Sequence, residues 1–298
     1  METEQLYQTY KPLLFSIAYR MTGSIADAED LVQEAFITYN RVSSEKVIEN
    51  EKAYLCKIVM NSSIDKLRSA ASKREVYVGE WLPEPLVDAG NDPALTYLMK
   101  ESISTAYLLL LQQLTEDERA VYLLREVFLY SYEEIATIID KSSANCRQIF
   151  HRAKKSMNNR PKASALDFQS MKSNVEQFTV ALQKGNIPKM LELLKADSVF
   201  ISDGGGKVKA ALNPIYTSER IVLLFISIMK KLPENSRMEF EVVNGYPGVV
   251  VSINDSVAYV VSMEFQDDKI SRIFMMANPD KLEHLQKKTE VNKKTVEE

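Results

Sequence analysis

Three groups of residues in this sequence have types and spacings that could do chemistry. The first is "DGGGK", residues 203–207, which sets three of the chain's nine glycines in front of a lysine. Glycines ending in lysine suggest a phosphate cradle. Such a loop needs G-x-x-x-x-G-K-[ST] between a strand and a helix. Here Val208 follows Lys207, Ile201 occupies the position of the first glycine, and the run joins two expected strands of a hairpin, "SVFISDGGGKVKAAL". A hairpin turn needs one or two glycines at positive φ, not three. The better reading is close approach, in which another chain segment lies against bare backbone. The second group is "KSSANCRQIFHRAKKSMNNR", 141–160, which is basic and free of acids in a chain of net charge −4. The third is a helical face of Asp30, Gln33 and Glu34 with Ile37 in its middle. Most charged stripes are only solvated, but an apolar residue inside one favours a contact surface.

The elements that carry these groups follow from periodicity. Residues 1–72 read as helical throughout. Ser24 and Asp27 stand at capping-box spacing, and Ala28, Leu31, Val32, Ala35, Phe36 and Tyr39 share a helical face. In the helix from 51, Cys56, Val59, Met60, Ser63, Ile64 and Leu67 form the buried stripe, and Lys57, Asn61, Asp65 and Arg68 the other side. Residues 73–93 form a linker, extended around "LPEP", which carries the only tryptophan, Trp81. A lone Trp is seldom left in water, so it is expected to dock. Residues 94–160 are helical again, with capping boxes at Thr115/Glu118 and Ser131/Glu134 and one amphipathic helix over "LTEDERAVYLLREVFLY". A short apolar helix, the turn "DKSS" and a basic helix make a helix-turn-helix pattern. In the basic helix Cys146, Phe150, Ala153 and Met157 face inward, and Arg147, Gln148, Arg152 and Lys154 outward.

Residues 167–285 change character. Two helices, the hairpin with the glycines and a third helix precede four alternating strands, "RMEFEVVNG", "GVVVSIN", "SVAYVVSMEFQ" and "KISRIFMMAN". This is an α+β domain ending in an antiparallel meander, with a charged tail over 286–298.

Composition narrows the classes. The chain has 298 residues, 45% hydrophobic and 26% charged, as expected for two or three globular domains. No membrane span or signal peptide is read, and Cys56 and Cys146 read as free thiols of a reducing cytosol. Two histidines and no Cys/His cluster argue against a metal site, and no cofactor is expected. An acidic chain with one local basic stripe suggests a DNA contact that depends on a partner.

"DAEDLVQEAF" (27–36), "NSSIDKLR" (61–68) and "LREVFLYSYEEIATII…HRAKK" (124–155) closely resemble bacterial RNA polymerase sigma factors of the extracytoplasmic-function (ECF) type. The resemblance covers residues 1–160. "SDGGGKVKAA" and "NPDKL" (278–282), with "WLPEP" (81–85), resemble the ECF subgroup carrying a C-terminal SnoaL-like domain, a ketosteroid-isomerase-like cone. The resemblance implies a multi-domain chain: an all-α region 2 bundle, an all-α region 4 helix-turn-helix and an α+β cone. It implies that Asp30, Gln33 and Glu34 dock on the β′ clamp helices of core RNA polymerase, with the β flap as a further partner surface. Lys57, Asn61 and Arg68 would read the −10 element of promoter DNA. The helix from Ser143 would enter the major groove at the −35 element, with Ala144, Asn145, Arg147 and Gln148 near base edges and Arg152, Lys154 and Lys155 on phosphates. Asp140 stands where a turn glycine is frequent, Lys141 replaces an apolar turn residue, and Ile149 holds a position often basic.

For the glycines, the resemblance pairs Asp203, Gly204, Gly205, Gly206 and Lys207 with the linker carrying Trp81 and Pro83. Regions 2 and 4 are expected to be joined only by that linker, so docking would tune activity in cis. Two other functions compete. SnoaL-like folds include enzymes, and Asp203, Tyr246, Asp255, Tyr259 and Glu264 could supply an acid and a base, but none has a recognisable spacing. A helix-turn-helix repressor with a small-ligand sensor is the other, and it leaves the helices at 27–36 and 61–68 without a task. The expected protein is therefore a non-enzymatic, cytoplasmic sigma factor, with room for an unidentified small ligand of the cone.

Overall fold

The computed structural model describes residues 2–74, 77–87, 103–157 and 166–286. The chain divides into two compact units. Of the described residues, the first holds 2–74 and 107–157, and the second holds 77–87, 103–106 and 166–286.

In the first unit α1 (Glu2–Thr22), α2 (Ile25–Ser43) and α3 (Glu51–Arg74) pack on one another. The Ser24 hydroxyl accepts from the Asp27 N–H at 3.2 Å and caps α2. The stripe expected on α3, from Cys56 to Leu67, is buried, as is the α2 face from Ala28 to Tyr39. Then come α4 (Thr105–Gln112), whose first two residues belong to the second unit, α5 (Glu116–Tyr122), α6 (Tyr132–Ile139) and α7 (Ser143–Met157). Both expected capping boxes form, at Thr115/Glu118 and Ser131/Glu134. The single helix expected over residues 114–130 does not. It changes after Tyr122 into a π-helical turn, Leu123–Val127, and Leu129 then adopts φ +60°. Asp140, at the turn-glycine position, is left-handed at φ +55° and accepts the strain that Gly would avoid. Ser142 caps α7 through the Asn145 N–H at 3.2 Å.

Ile149, at a position often basic in the family, is 3% exposed and joins the buried stripe of α7 with Cys146, Ala153 and Met157. Phe150, expected inward, is half-buried, stacked on the buried Tyr122 and edge-on to Tyr132. One expectation fails: the two helical regions are not joined only through the linker, because α3 packs directly on α5 and α6.

The second unit is a six-stranded mixed sheet in the order β2-β1-β6-β5-β4-β3, with three helices packed on it. The elements are α8 (Phe168–Gln183), α9 (Ile187–Leu193), β1 (Leu194–Asp203), β2 (Ile215–Tyr216), α10 (Ser218–Met229), β3 (Ser236–Val243), β4 (Tyr246–Ile253), β5 (Ser256–Gln266) and β6 (Lys269–Met276). A last helix covers 279–286. β3 to β6 form the expected antiparallel meander. The glycines do not close a tight hairpin. β1 pairs antiparallel with β2, but β2 is two residues long and comes only after a loop that follows Gly206, in place of the strand expected over 208–212; along most of its length β1 runs parallel to β6. Val261, Met263 and Phe265 point into the core with Phe178, Phe200 and Phe225, as alternation requires.

Candidate functional site

In the second unit the centre of the site is the Asp203 carboxylate, 0% exposed at the end of β1. Its Oδ1 accepts from the Tyr77 hydroxyl at 2.5 Å and the Gly205 N–H at 3.0 Å. Its Oδ2 accepts from the Leu82 N–H at 2.9 Å and from Lys281 Nζ at 2.7 Å. Lys281, 7% exposed, also donates to Leu82 O at 2.5 Å, and its ammonium lies 3.7 Å from the centre of the Trp81 ring. A buried carboxylate needs such donors, because desolvation without partners costs several kcal/mol. Burial, and then the Asp203 carboxylate, push the Tyr77 hydroxyl well above the ordinary tyrosine range.

The glycines earn their places by contact. A Cβ on Gly205 would lie 2.3 Å from Asn278 Nδ2, and the residue sits at φ +59°. A Cβ on Gly204 would lie 2.5 Å from Val208 O. Gly206, at φ +71°, faces the Val78 side chain of the linker. Asn278 Nδ2 in turn donates to the Tyr77 hydroxyl at 2.9 Å. Lys207 pairs with Asp280 at 2.6 Å on the surface, and takes no part in the buried bonds. Pro83 is buried in the docked segment and Trp81 is half-buried under Lys281. The residues that the sequence reading missed are Tyr77, Asn278 and Lys281. The "NPDKL" run, 278–282, carries Asn278 and Lys281, and no sequence signal marks Tyr77.

In the first unit Asp30, Gln33 and Glu34 are exposed on α2 around Ile37, which is 70% exposed. Lys57 and Asn61 are half-buried on α3, and Arg68 is exposed. Asn61 Nδ2 donates to Ile138 O, at the end of α6, at 3.2 Å, and Arg68 lies 3.4 Å from Asp117. On α7, Ala144, Asn145, Arg147, Gln148, Arg152, Lys154 and Lys155 are exposed, and Ser143 is half-buried. Three of these cations have acidic partners on neighbouring helices: Arg147 with Glu133 at 2.9 Å, Arg152 with Glu118 at 3.3 Å, and Lys154 with Glu126 at 3.6 Å. Neither Cys56 nor Cys146 is in a disulfide, and burial pushes both thiols up.

The five residues considered for catalysis do not converge. Asp203 holds the linker, and Asp255 sits in a turn 3.3 Å from Arg237. Tyr259 lines a cavity of about 50 Å³ with Phe178, Leu182, Met238 and Met263, and no carboxylate reaches it. Tyr246 packs at the edge of the core that holds this cavity. Glu264, next to Met263 on β5, lies on the other face of the strand. Among the described residues no cluster of His, Cys, Asp and Glu is suited to a metal, and no helix is long and apolar enough to cross a membrane.

Residues 6–73 match the family Sigma-70 region 2, and residues 104–157 match Sigma-70, region 4. The chain is 30% identical over 287 residues to the ECF RNA polymerase sigma factor SigJ of Mycobacterium tuberculosis, covering 92% of this chain and 91% of that one. It is 30% identical over 158 residues to the ECF RNA polymerase sigma factor SigX of Bacillus subtilis, covering 52% of this chain and 81% of that one. The crystal structure of the M. tuberculosis SigJ protein superposes with a TM-score of 0.75 at 26% identity, covering 93% of this chain and 97% of that one. The shorter match leaves the second unit to the longer relative. That unit is an α+β domain of three helices on a six-stranded mixed sheet, and the match to the M. tuberculosis SigJ structure extends over it.

Proposed function

Because this chain belongs to the ECF RNA polymerase sigma factors, we propose that its C-terminal domain tunes promoter use by holding the inter-region linker through Asp203. Core RNA polymerase binds through Asp30, Gln33 and Glu34, with Ile37 as the apolar centre of an otherwise acidic face. α3 presents Lys57, Asn61 and Arg68 to the −10 element, where an extruded base needs an amide and flanking cations. α7 enters the major groove at the −35 element. Ser143, Ala144, Asn145, Arg147 and Gln148 approach base edges, and Arg152, Lys154 and Lys155 hold phosphates.

The observation that carries the reading is the buried Asp203–Lys281 pair, which clamps both backbone groups of Leu82. The linker is thus bonded by its backbone, and the prolines beside Leu82 lower the entropy lost on docking. The C-terminal domain acts as a holder and not as a catalyst, since the cavity at Tyr259 is apolar and the part-buried Glu264 faces away from it. The test is transcription by the reconstituted holoenzyme with Asp203→Asn and Trp81→Ala. A coupling of about 1–3 kcal/mol would change promoter output several-fold. Output equal to that of the unaltered chain in both variants would overturn the reading.

A further inference from the structure

A second set of buried polar groups in the C-terminal domain reaches the chain at a different place. Asn244, 2% exposed at φ +53°, forms the turn between β3 and β4. Its backbone N–H donates to Leu86 O at 2.7 Å, and its Oδ1 accepts the Leu86 N–H at 2.7 Å. Its Nδ2 donates to Thr105 Oγ1 at 3.2 Å. Thr105 Oγ1 also shares a 3.0 Å hydrogen bond with Ser262 Oγ. Two residues along β5, Glu264 accepts from the Ser104 side chain and from the Ala106 backbone N–H, with Arg272 3.6 Å away. Ser262 and Glu264 share the face of β5 opposite Val261, Met263 and Phe265, which hold the core.

Thr105 is the first residue of α4, the helix that opens region 4. The first N–H groups of a helix have no partner within it, and a carboxylate placed there is favoured by the helix dipole. Glu264 accepts from one of them, the Ala106 N–H. Leu86 and Thr105 stand nineteen positions apart in the chain (105 − 86), yet one amide side chain bonds both. Asn244 and Thr105 are each buried, so the bonds between them are made away from water, where an unmade partner is costly.

We propose that Asn244, Ser262 and Glu264 form a second anchor, separate from Asp203, which binds residues 104–106, the segment from which region 4 starts. This rests on the reading that the C-terminal domain tunes promoter use in cis, and it names the segment of this chain on which that tuning acts at its far end. These are positioning residues, and none of them meets DNA. The Asp203 anchor holds the linker at Leu82. The Asn244 anchor bonds Leu86 and Thr105 from a single turn.

Hydrogen exchange on the full chain separates the two anchors amide by amide. Asn244→Gly keeps the left-handed turn and removes the side chain. It should speed exchange at Leu86 and Ala106 by about tenfold and leave Leu82 unchanged. Asp203→Asn should do the reverse. Ser262→Ala removes one hydroxyl and should speed exchange only at residues 105–106, which keeps the test open if Asn244→Gly folds poorly. In holoenzyme transcription, Asn244→Gly should shift promoter output several-fold. Unchanged exchange at Ala106 in both Asn244→Gly and Ser262→Ala would overturn the second anchor. So would equal acceleration at Leu82, Leu86 and Ala106 in every variant, since the two anchors would then be one. Promoter output that ignores Asp203→Asn but responds to Asn244→Gly would overturn the modulation through the glycine loop while supporting the second anchor.

Discussion

Arg147, Arg152 and Lys154 of α7 have carboxylate partners, as Lys281 does, but the two settings make different use of them. Arg147, Arg152 and Lys154 reach Glu133, Glu118 and Glu126 across a wet surface. Exposed pairs of this kind contribute between nothing and about 1 kcal/mol, and salt screens them. A phosphate can replace such a partner at little cost. Lys281 and Asp203 are buried together, and their other hydrogen bonds go to the linker. Removing one member leaves a charge in a dry site. The first arrangement suits a surface that changes partners, and the second suits a joint that keeps its partner. Position in the fold, more than charge, separates the two.

The largest expected effect breaks the buried joint. Lys281→Met or Asp203→Ala should cost the second unit about 3–5 kcal/mol in denaturant unfolding, because the remaining charge stays buried. A loss below 1 kcal/mol would put that pair in the same class as the surface ones. On the other side of the comparison, Arg147→Ala should cost about 1–3 kcal/mol at specific promoters and relax preference at one or two −35 positions. Lys154→Ala should weaken all sequences alike, and a library of −35 variants distinguishes the two patterns. A smaller effect comes from Glu264, whose carboxyl is raised above the ordinary value of 4.5 chiefly by burial. Such a group takes up a proton on folding. The stability tied to it is complete below the unfolded value and is lost as pH rises through the folded value. The difference in melting temperature between the unaltered chain and Glu264→Gln should therefore change as pH falls from 7 to 5, with the unaltered chain gaining. The smallest effect is at the surface pairs themselves. Glu133→Gln should shift unfolding by less than about 1 kcal/mol while slightly tightening DNA binding, as Arg147 loses its competitor.

What could be read from the sequence was local. Capping boxes, the buried stripes of α2 and α3, and the alternation in β5 each depend on residues a few positions apart, and the structure carries them as expected. β1 pairs with only two residues of β2 and otherwise with β6, more than sixty residues on, so the glycine loop looked like a tight hairpin to any local reading. Ile149 stands at a position often basic in the family, but its spacing from Cys146 and Ala153 puts it on the buried face. Trp81 and the glycines stood out because both are compositionally odd, and the structure sets Gly206 against Val78 of the linker and Trp81 under Lys281. Lys281 and Asn244 are ordinary polar residues, and only the fold gives them their burial. The π-helical turn after Tyr122 shows the same limit, since nothing in "LLREV" marks an extra residue per turn.

The hydrogen bond from Asn61 to Ile138 O gives the first unit a kinetic and thermodynamic character of its own. An amide engaged with a carbonyl at the end of α6 is not available to an unstacked base. If only the fraction of molecules with this bond open can take −10 DNA, the apparent dissociation constant is the intrinsic one divided by that fraction. Core polymerase that prefers the open form raises the fraction, and −10 DNA must then raise the affinity for core polymerase by the same factor. Titrating the chain with the two partners in either order should return one coupling constant, and Asn61→Ala should bring it toward unity.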